Sequence, residues 1–143
     1  MAKLLTANEK TPGSPKGVKN FSYSEMEYYD RIPKELIPNA DKVLQNLQVL
    51  RDVVGKPITI MSGYRSPERN EAVGGAKKSQ HCEGNAVDLK VKDTAPEEVA
   101  KLIEKLIAEG KMCQGGLGTY SRSTPSEGWV HYDCRNVKAR WNG

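Results

Sequence analysis

The chain has 143 residues, the length of one domain built around one core. At 37% apolar and 28% charged residues, its composition excludes a collagen-like chain, a coiled coil and wholesale disorder. The net charge of +4 comes from 22 basic and 18 acidic residues scattered along the chain, without the clustered basic stripe of a nucleic-acid reader.

The chain opens with Met1-Ala2-Lys3-Leu4-Leu5, but the apolar run stops at Thr6 and Asn8-Glu9-Lys10 follow, so no signal-peptide core is present. No stretch approaches the ~20 apolar residues of a membrane span. The expectation is synthesis in the cytoplasm without a leader, or a piece of something larger. Residues 1–20 are rich in Lys, Pro, Gly, Thr and Ser and read as a flexible arm, leaving 21–143 as the domain. The cysteines are Cys82, Cys113 and Cys134. An odd count with no C-x-x-C pair argues against a disulfide framework and against a zinc knuckle.

Ser24 is placed to cap a short helix over Glu25–Tyr29, broken up by Ile32-Pro33 and Ile37-Pro38. Asn39 then reads as the N-cap of an amphipathic helix. Its apolar stripe is Ala40, Val43, Leu44, Leu47, Leu50 and Val54, and it ends at Gly55 and Pro57. Ile58–Met61 reads as a short buried strand. Ser62–Pro67 is turn material, with a short helix from Glu68 to Val73 stopped by Gly74-Gly75. Ala76–Asn85 reads as a loop and Ala86–Val91 as a strand. Thr94 and Glu97 are spaced as a capping box for a second amphipathic helix through Val99, Leu102, Ile103, Leu106 and Ile107, ending at Gly110. Two strands close the chain as a hairpin, near Gly116–Tyr120 and Trp129–Cys134, joined by the loop Ser121–Gly128. The whole reads as α+β: a small, mostly antiparallel sheet with helices packed on one side.

Only two histidines are present, His81 and His131. His81 stands on the loop before a strand that carries Asp88, and His131 lies among apolar neighbours on the last strand, where an unpartnered ring is costly. Two histidines and a carboxylate make a standard catalytic zinc set that leaves a fourth position open. Gly84 permits the bend that returns the chain from His81 into the strand of Asp88. By spacing alone the ordinary reading, two core or surface histidines and a strand-end aspartate, stands beside it. His-x6-Asp is not a unique motif and no H-E-x-x-H helix is present.

Several segments taken together resemble one family. They are Ser62-Gly63-Tyr64-Arg65-Ser66-Pro67, Asn70, Val73-Gly74-Gly75-Ala76, Ser79-Gln80-His81, Gly84-Asn85-Ala86-Val87-Asp88 and Trp129-Val130-His131-Tyr132-Asp133. In this order they resemble the zinc D-Ala-D-Ala carboxypeptidase and L-Ala-D-Glu endopeptidase family of murein peptidases. The likeness runs from about Phe21 to Trp141. It implies a hedgehog/D,D-peptidase fold and a zinc ion on His81, Asp88 and His131. The activity it implies is hydrolysis of peptidoglycan stem peptides, as a carboxypeptidase or as an endopeptidase, for instance a phage or prophage endolysin.

The resemblance also implies a general base on the segment of the last histidine, often three residues before it. That position is Gly128 here, which cannot accept a proton. Asp133, on the same strand face as His131, and Glu127, at the mouth of the loop, are the two candidates, with Asp133 preferred. The alternative for Asp133 is a partner that orients His131, and for Glu127 a solvated loop charge. Arg65 is assigned a substrate carboxylate or the developing oxyanion. Ser79, Gln80 and Tyr64 are candidate substrate contacts. Cys82 and Cys134 are read as packing residues. A monomer acting at the cell wall is expected. The rival is a zinc-bearing module of the same fold that binds a wall or a partner without catalysis.

Overall fold

The computed structural model describes residues 3–124 and 127–143; Met1 and Ala2 of the expected arm and Pro125 and Ser126 of the expected loop lie outside them. Among the described residues, three α-helices and five strands follow one another as α1 (Ile37–Val54), β1 (Ile58–Ser62), α2 (Pro67–Ala72), β2 (Ala86–Val91), α3 (Pro96–Ala108), β3 (Gly116–Tyr120), β4 (Trp129–Asp133) and β5 (Ala139–Asn142). The strands form one sheet in the order β1-β2-β4-β3-β5. All neighbours are antiparallel except β3 and β5.

Strand alternation divides the sheet into two faces. Ile58, Ile60, Val87, Leu89, Val91, Leu117, Val130 and Tyr132 point to one side and are buried there. Helix α1 covers them with Ala40, Val43, Leu44, Leu47 and Leu50, at the three- and four-residue spacing that makes one stripe of a helix. Helix α3 adds Val99, Ile103 and Leu106. The other face carries Asp88, His131, Gly118 and Trp141. The register sets them in one row across four strands, because Asp88 pairs with His131, His131 with Gly118, and Gly118 with Trp141.

The helix starts differ from the sequence expectations for local reasons. A 3-10 turn at Lys34–Leu36 runs directly into α1, which begins at Ile37 with Pro38 in its first turn. Asn39 therefore lies inside the helix, and its amide donates to the Glu83 carbonyl at 2.8 Å instead of capping. The turn near Ser24 is a 3-10 turn, Tyr23–Met26, whose capping box is Ser22 with Glu25. Helix α3 has Ala95 at its N-cap and no capping side chain. Thr94 Oγ1 donates to the Lys92 carbonyl, and Glu97 accepts from Ser121. Gly55 ends α1 in the left-handed region at φ 66°, as the sequence suggests.

Strand β5 is absent from the sequence reading. Its residues Ala139-Arg140-Trp141-Asn142 carry no apolar alternation, and its place is set by tertiary contacts. Arg140 reaches Glu104 of α3 at 2.8 Å, and Ala139 N–H donates to the Gly115 carbonyl. The segment before α1 follows a defined path. Leu5 N–H donates to the Tyr28 carbonyl at 2.8 Å. The Glu27 carboxylate, fully buried, accepts from the Thr11 amide and hydroxyl and from the Ile32 amide. Gln48 of α1 accepts from the Lys19 and Asn20 amides.

Candidate metal centre

His81 enters the open face of the sheet from a 3-10 turn, Gln80–Glu83. Ser79 caps that turn by accepting the His81 N–H at 3.2 Å. Gly84, at φ 72°, ends it in the left-handed region and returns the chain to β2. His81 is 2% exposed. Its Nδ1 lies 2.7 Å from the Gly63 carbonyl, an acceptor only, so Nδ1 carries the proton and Nε2 presents its lone pair. That carbonyl is placed by a tight crossing, since a Cβ on Gly63 would sit 2.6 Å from Met26 backbone. The Tyr64 N–H, hydrogen-bonded to the Met26 carbonyl, fixes the same turn.

His131 is held the other way round. Its Nε2 is 2.7 Å from Asp133 Oδ2, so Nε2 carries the proton and Nδ1 is the free donor atom. The two lone pairs converge on Asp88. Its Oδ1 lies 3.4 Å from His81 Nε2 and 3.2 Å from His131 Nδ1. The ligand atoms of all three residues fall within 4.8 Å of one another. Metal–ligand bonds of about 2.0–2.1 Å in a tetrahedron set ligand atoms about 3.3 Å apart, so the cluster has the spacing of a divalent-metal site.

The electrostatics point the same way. Burial raises the Asp88 carboxyl, but the hydrogen bonds to His131 and His81 outweigh it and hold the group well below the usual carboxylate range. Burial lowers the His131 imidazole, and the flanking Asp133 and Asp88 carboxylates more than offset this, leaving it raised. The pocket is thus arranged to hold positive charge between two imidazoles and an aspartate.

The cluster forms part of the lining of an open cleft shared with Arg65, Lys78, Ser79, Gln80, Tyr120, Trp129, Arg135 and Trp141. Arg65 N–H donates to the His81 carbonyl at 3.2 Å, while its buried Nε has no partner among the described residues. Gln80 reaches the cleft, and Ser79 both lines it and caps the His81 turn. Tyr64 is 8% exposed and packs in the core, its edge meeting a neighbouring groove rather than this cleft.

The two carboxylates expected near the reacting water lie elsewhere. Asp133 is sealed from solvent beneath His131. Its oxygens take His131 Nε2, the Gly116 amide at 2.9 Å, and the Arg135 amide and guanidinium. Glu127 is exposed on the loop, accepts from Thr124 Oγ1 at 2.9 Å, and does not line the cleft. Asp88 is the only carboxylate lining the cleft among the described residues. None of the three cysteines lines the cleft. Burial pushes the Cys134 thiol up to about 12, beside Tyr132 in the core, and also raises Cys82.

Trp141 and Arg135 are site residues to which the sequence reading gives no role. The Trp141 ring lies 5.0 Å from that of His131, and the Arg135 guanidinium lies 5.5 Å from the Trp141 ring centroid. Gly118 lets the indole cross the sheet, because a Cβ there would lie inside it. Trp141 Nε1 donates to Tyr120 Oη at 2.8 Å. A lone aromatic near the C-terminus gives no signal of this.

The Peptidase M15 family model matches residues 19–133, a span that includes both histidines, Asp88 and Arg65. The chain belongs to the Peptidase M15 family. The His/His/Asp triad is the one typical of zinc metallopeptidases, and the mixed, mostly antiparallel sheet with its packed helices is the α+β fold of M15 and hedgehog proteins. Among curated relatives, a zinc D-Ala-D-Ala carboxypeptidase of Streptomyces albus G is 46% identical over 52 residues, 36% of this chain and 20% of that protein. The peptidoglycan L,D-endopeptidase MepK of Escherichia coli K12 is 36% identical over 83 residues, 54% of this chain and 40% of that protein. A probable peptidoglycan L,D-endopeptidase MepK of Haemophilus influenzae is 26% identical over 135 residues, 91% of this chain and 67% of that protein. The M15 chain therefore matches only a fifth to two fifths of the length of the first two.

Proposed function

We propose that this protein is a zinc-dependent peptidase that hydrolyses peptide bonds in the stem peptides of bacterial peptidoglycan, at the cell wall. The observation that carries the reading is the convergence of His81 Nε2, Asp88 Oδ1 and His131 Nδ1 at the floor of an open cleft, each imidazole locked in the tautomer that frees the converging nitrogen. The relatives named above act, by their names, on D-Ala-D-Ala and on L,D bonds of peptidoglycan, which supports the substrate class.

When bound, a zinc ion supplies a Lewis acid that activates water near neutral pH and polarises a carbonyl. His81, Asp88 and His131 would hold it. The Gly63 carbonyl and Asp133 keep both rings in the required tautomer, and Arg135 and the Gly116 amide hold Asp133 in turn. Asp133 is thus a positioning residue. Arg65 lines the cleft, where its guanidinium meets a substrate carboxylate or the oxygen on which charge develops. Tyr120 Oη accepts from Trp141, which leaves the phenol proton to donate to substrate.

The bond cut belongs to the same proposal: the terminal D-Ala linkage for a carboxypeptidase, an internal stem linkage for an endopeptidase such as a lysis enzyme. The test is digestion of purified peptidoglycan by the zinc-loaded protein, with and without a chelator, read by mass spectrometry. Chelator-sensitive release of D-Ala or of new stem-peptide ends is expected, and the fragment masses name the bond. Intact peptidoglycan in both arms rejects hydrolysis. It would then favour a second reading, a metal-bearing binding module, for which one observation speaks: the described cleft lining holds no carboxylate apart from Asp88.

A further inference from the structure

A second groove, of about 410 Å³, adjoins the metal cleft on the β1 side and shares Arg65 and Asp88 with it. Its walls gather four of the chain's exposed large apolar residues, Leu4, Tyr29, Met61 and Val73, at 56%, 41%, 38% and 53% exposure. Single exposed apolar side chains are ordinary on a surface, whereas four lining one groove beside a reactive centre mark a contact surface. The groove also carries two guanidinium groups beside the single Asp88 carboxylate, which faces the two histidines. Arg65 and Arg69 both line it, and neither guanidinium pairs with a carboxylate among the described residues. The Arg69 guanidinium lies 4.1 Å over the Tyr29 ring, a cation–π contact, and its N–H groups have no hydrogen-bond partner among the described residues. Asp30, close by in the fold, is engaged by the Ser66 amide at 3.1 Å and pairs with neither arginine.

Resting on the proposed function, we propose that this groove is the subsite for the peptide segment flanking the scissile bond, and that it selects a segment bearing a free carboxylate beside small apolar side chains. Arg69, with Arg65, takes the carboxylate in the planar, two-point manner of a guanidinium. Leu4, Met61 and Val73 cover the neighbouring methyl groups. The groove therefore distinguishes a free glutamate α-carboxyl from its amide: amidation removes the charge and leaves two guanidinium groups without that anion. Because Leu5 is fastened to Tyr28 through its N–H, the N-terminal segment is part of this recognition surface.

The probes are the synthetic pentapeptide L-Ala-γ-D-Glu-L-Lys-D-Ala-D-Ala and the same peptide with the glutamate α-carboxyl amidated. Binding is measured by calorimetry on the full chain in chelator, and KM and kcat on the zinc-loaded chain. The wild type should bind the free acid at least about tenfold more tightly than the amide. Arg69→Gln should abolish that preference, raising KM for the acid alone while kcat and zinc content stay unchanged, and Arg69→Lys should restore part of it. Equal affinity for the two peptides in the wild type, or a preference that survives Arg69→Gln in a folded, zinc-retaining variant, overturns the proposal. Preference without any turnover sinks the peptidase reading and leaves the subsite standing, so the two failures are distinguishable.

Discussion

His131 sits between two carboxylates, and each has a different task. Asp88 faces its Nδ1 on the cleft side, and Asp133 accepts the hydrogen bond from Nε2–H. Replacing Asp133 by Asn breaks the pairing with Arg135 and weakens the acceptor for Nε2–H. Zinc affinity should fall by about 10- to 100-fold, measured by competition with a chromophoric chelator. An unchanged affinity would mean that Asp133 does not orient the ring. Gly118→Ala places a methyl group where the Trp141 indole lies, so the indole must leave His131 or the strands must shift. The expected cost is about 1–3 kcal/mol in denaturant unfolding, with the largest local change in Trp141 fluorescence. The triad itself was legible because its three residues fall within recognisable segments. The task of Asp133 was not, because alternation tells only which face a side chain takes, and on that face both a cleft position and a buried one lay open. The row Asp88, His131, Gly118, Trp141 depends on strand register, which no single segment encodes.

At the scale of elements, the two amphipathic helices and four of the five strands could be read from periodicity, because each has one clearly buried face. Their starts could not be read as well. Thr94 and Glu97 have the spacing of a capping box, yet Pro96 leads the helix from Ala95, and both side chains bond elsewhere. Thr94→Ala should accordingly change stability by no more than about 0.5 kcal/mol. Ser66, whose hydroxyl accepts the Arg69 N–H at 3.1 Å at the start of α2, is a working cap, and Ser66→Ala should cost about 1 kcal/mol. Thermal or denaturant unfolding of the two variants side by side checks the difference; equal effects would contradict the cap assignment. Strand β5 escaped because it is short and polar, and it is held by pairing with β3 and by Arg140 rather than by its own pattern.

For the whole molecule, the site is a cluster of opposed charges on the uncovered face of a sheet whose other face carries the core. This gives the metal-free protein a specific pH response. Asp88 and Asp133 are held below their usual value of 3.8, so they contribute stability that is present above about pH 4 and is lost as the pH falls through their folded values. His131 is raised above its usual 6.5, so its contribution is present below that value and is lost as the pH rises through its folded value. The metal-free chain should therefore be most stable at mildly acid pH, between about 4 and 6.5. Zinc takes the place of the proton on His131, so saturating zinc should move the optimum toward neutral pH and raise stability there, by about 2.7 kcal/mol at a hundred times Kd. Tm measured against pH, with chelator and with zinc, tests both statements; a metal-free optimum at neutral pH, unmoved by zinc, would contradict them.

X-ray absorption at the zinc edge of the reconstituted protein addresses the centre itself. One zinc per chain is predicted, with two imidazoles and carboxylate oxygen at about 2.0–2.2 Å and no sulfur shell, and with the signal lost in His81→Ala and His131→Ala. Failure to retain zinc, or a sulfur scatterer at about 2.3 Å from one of the cysteines, would contradict the assignment of His81, Asp88 and His131 as the metal site.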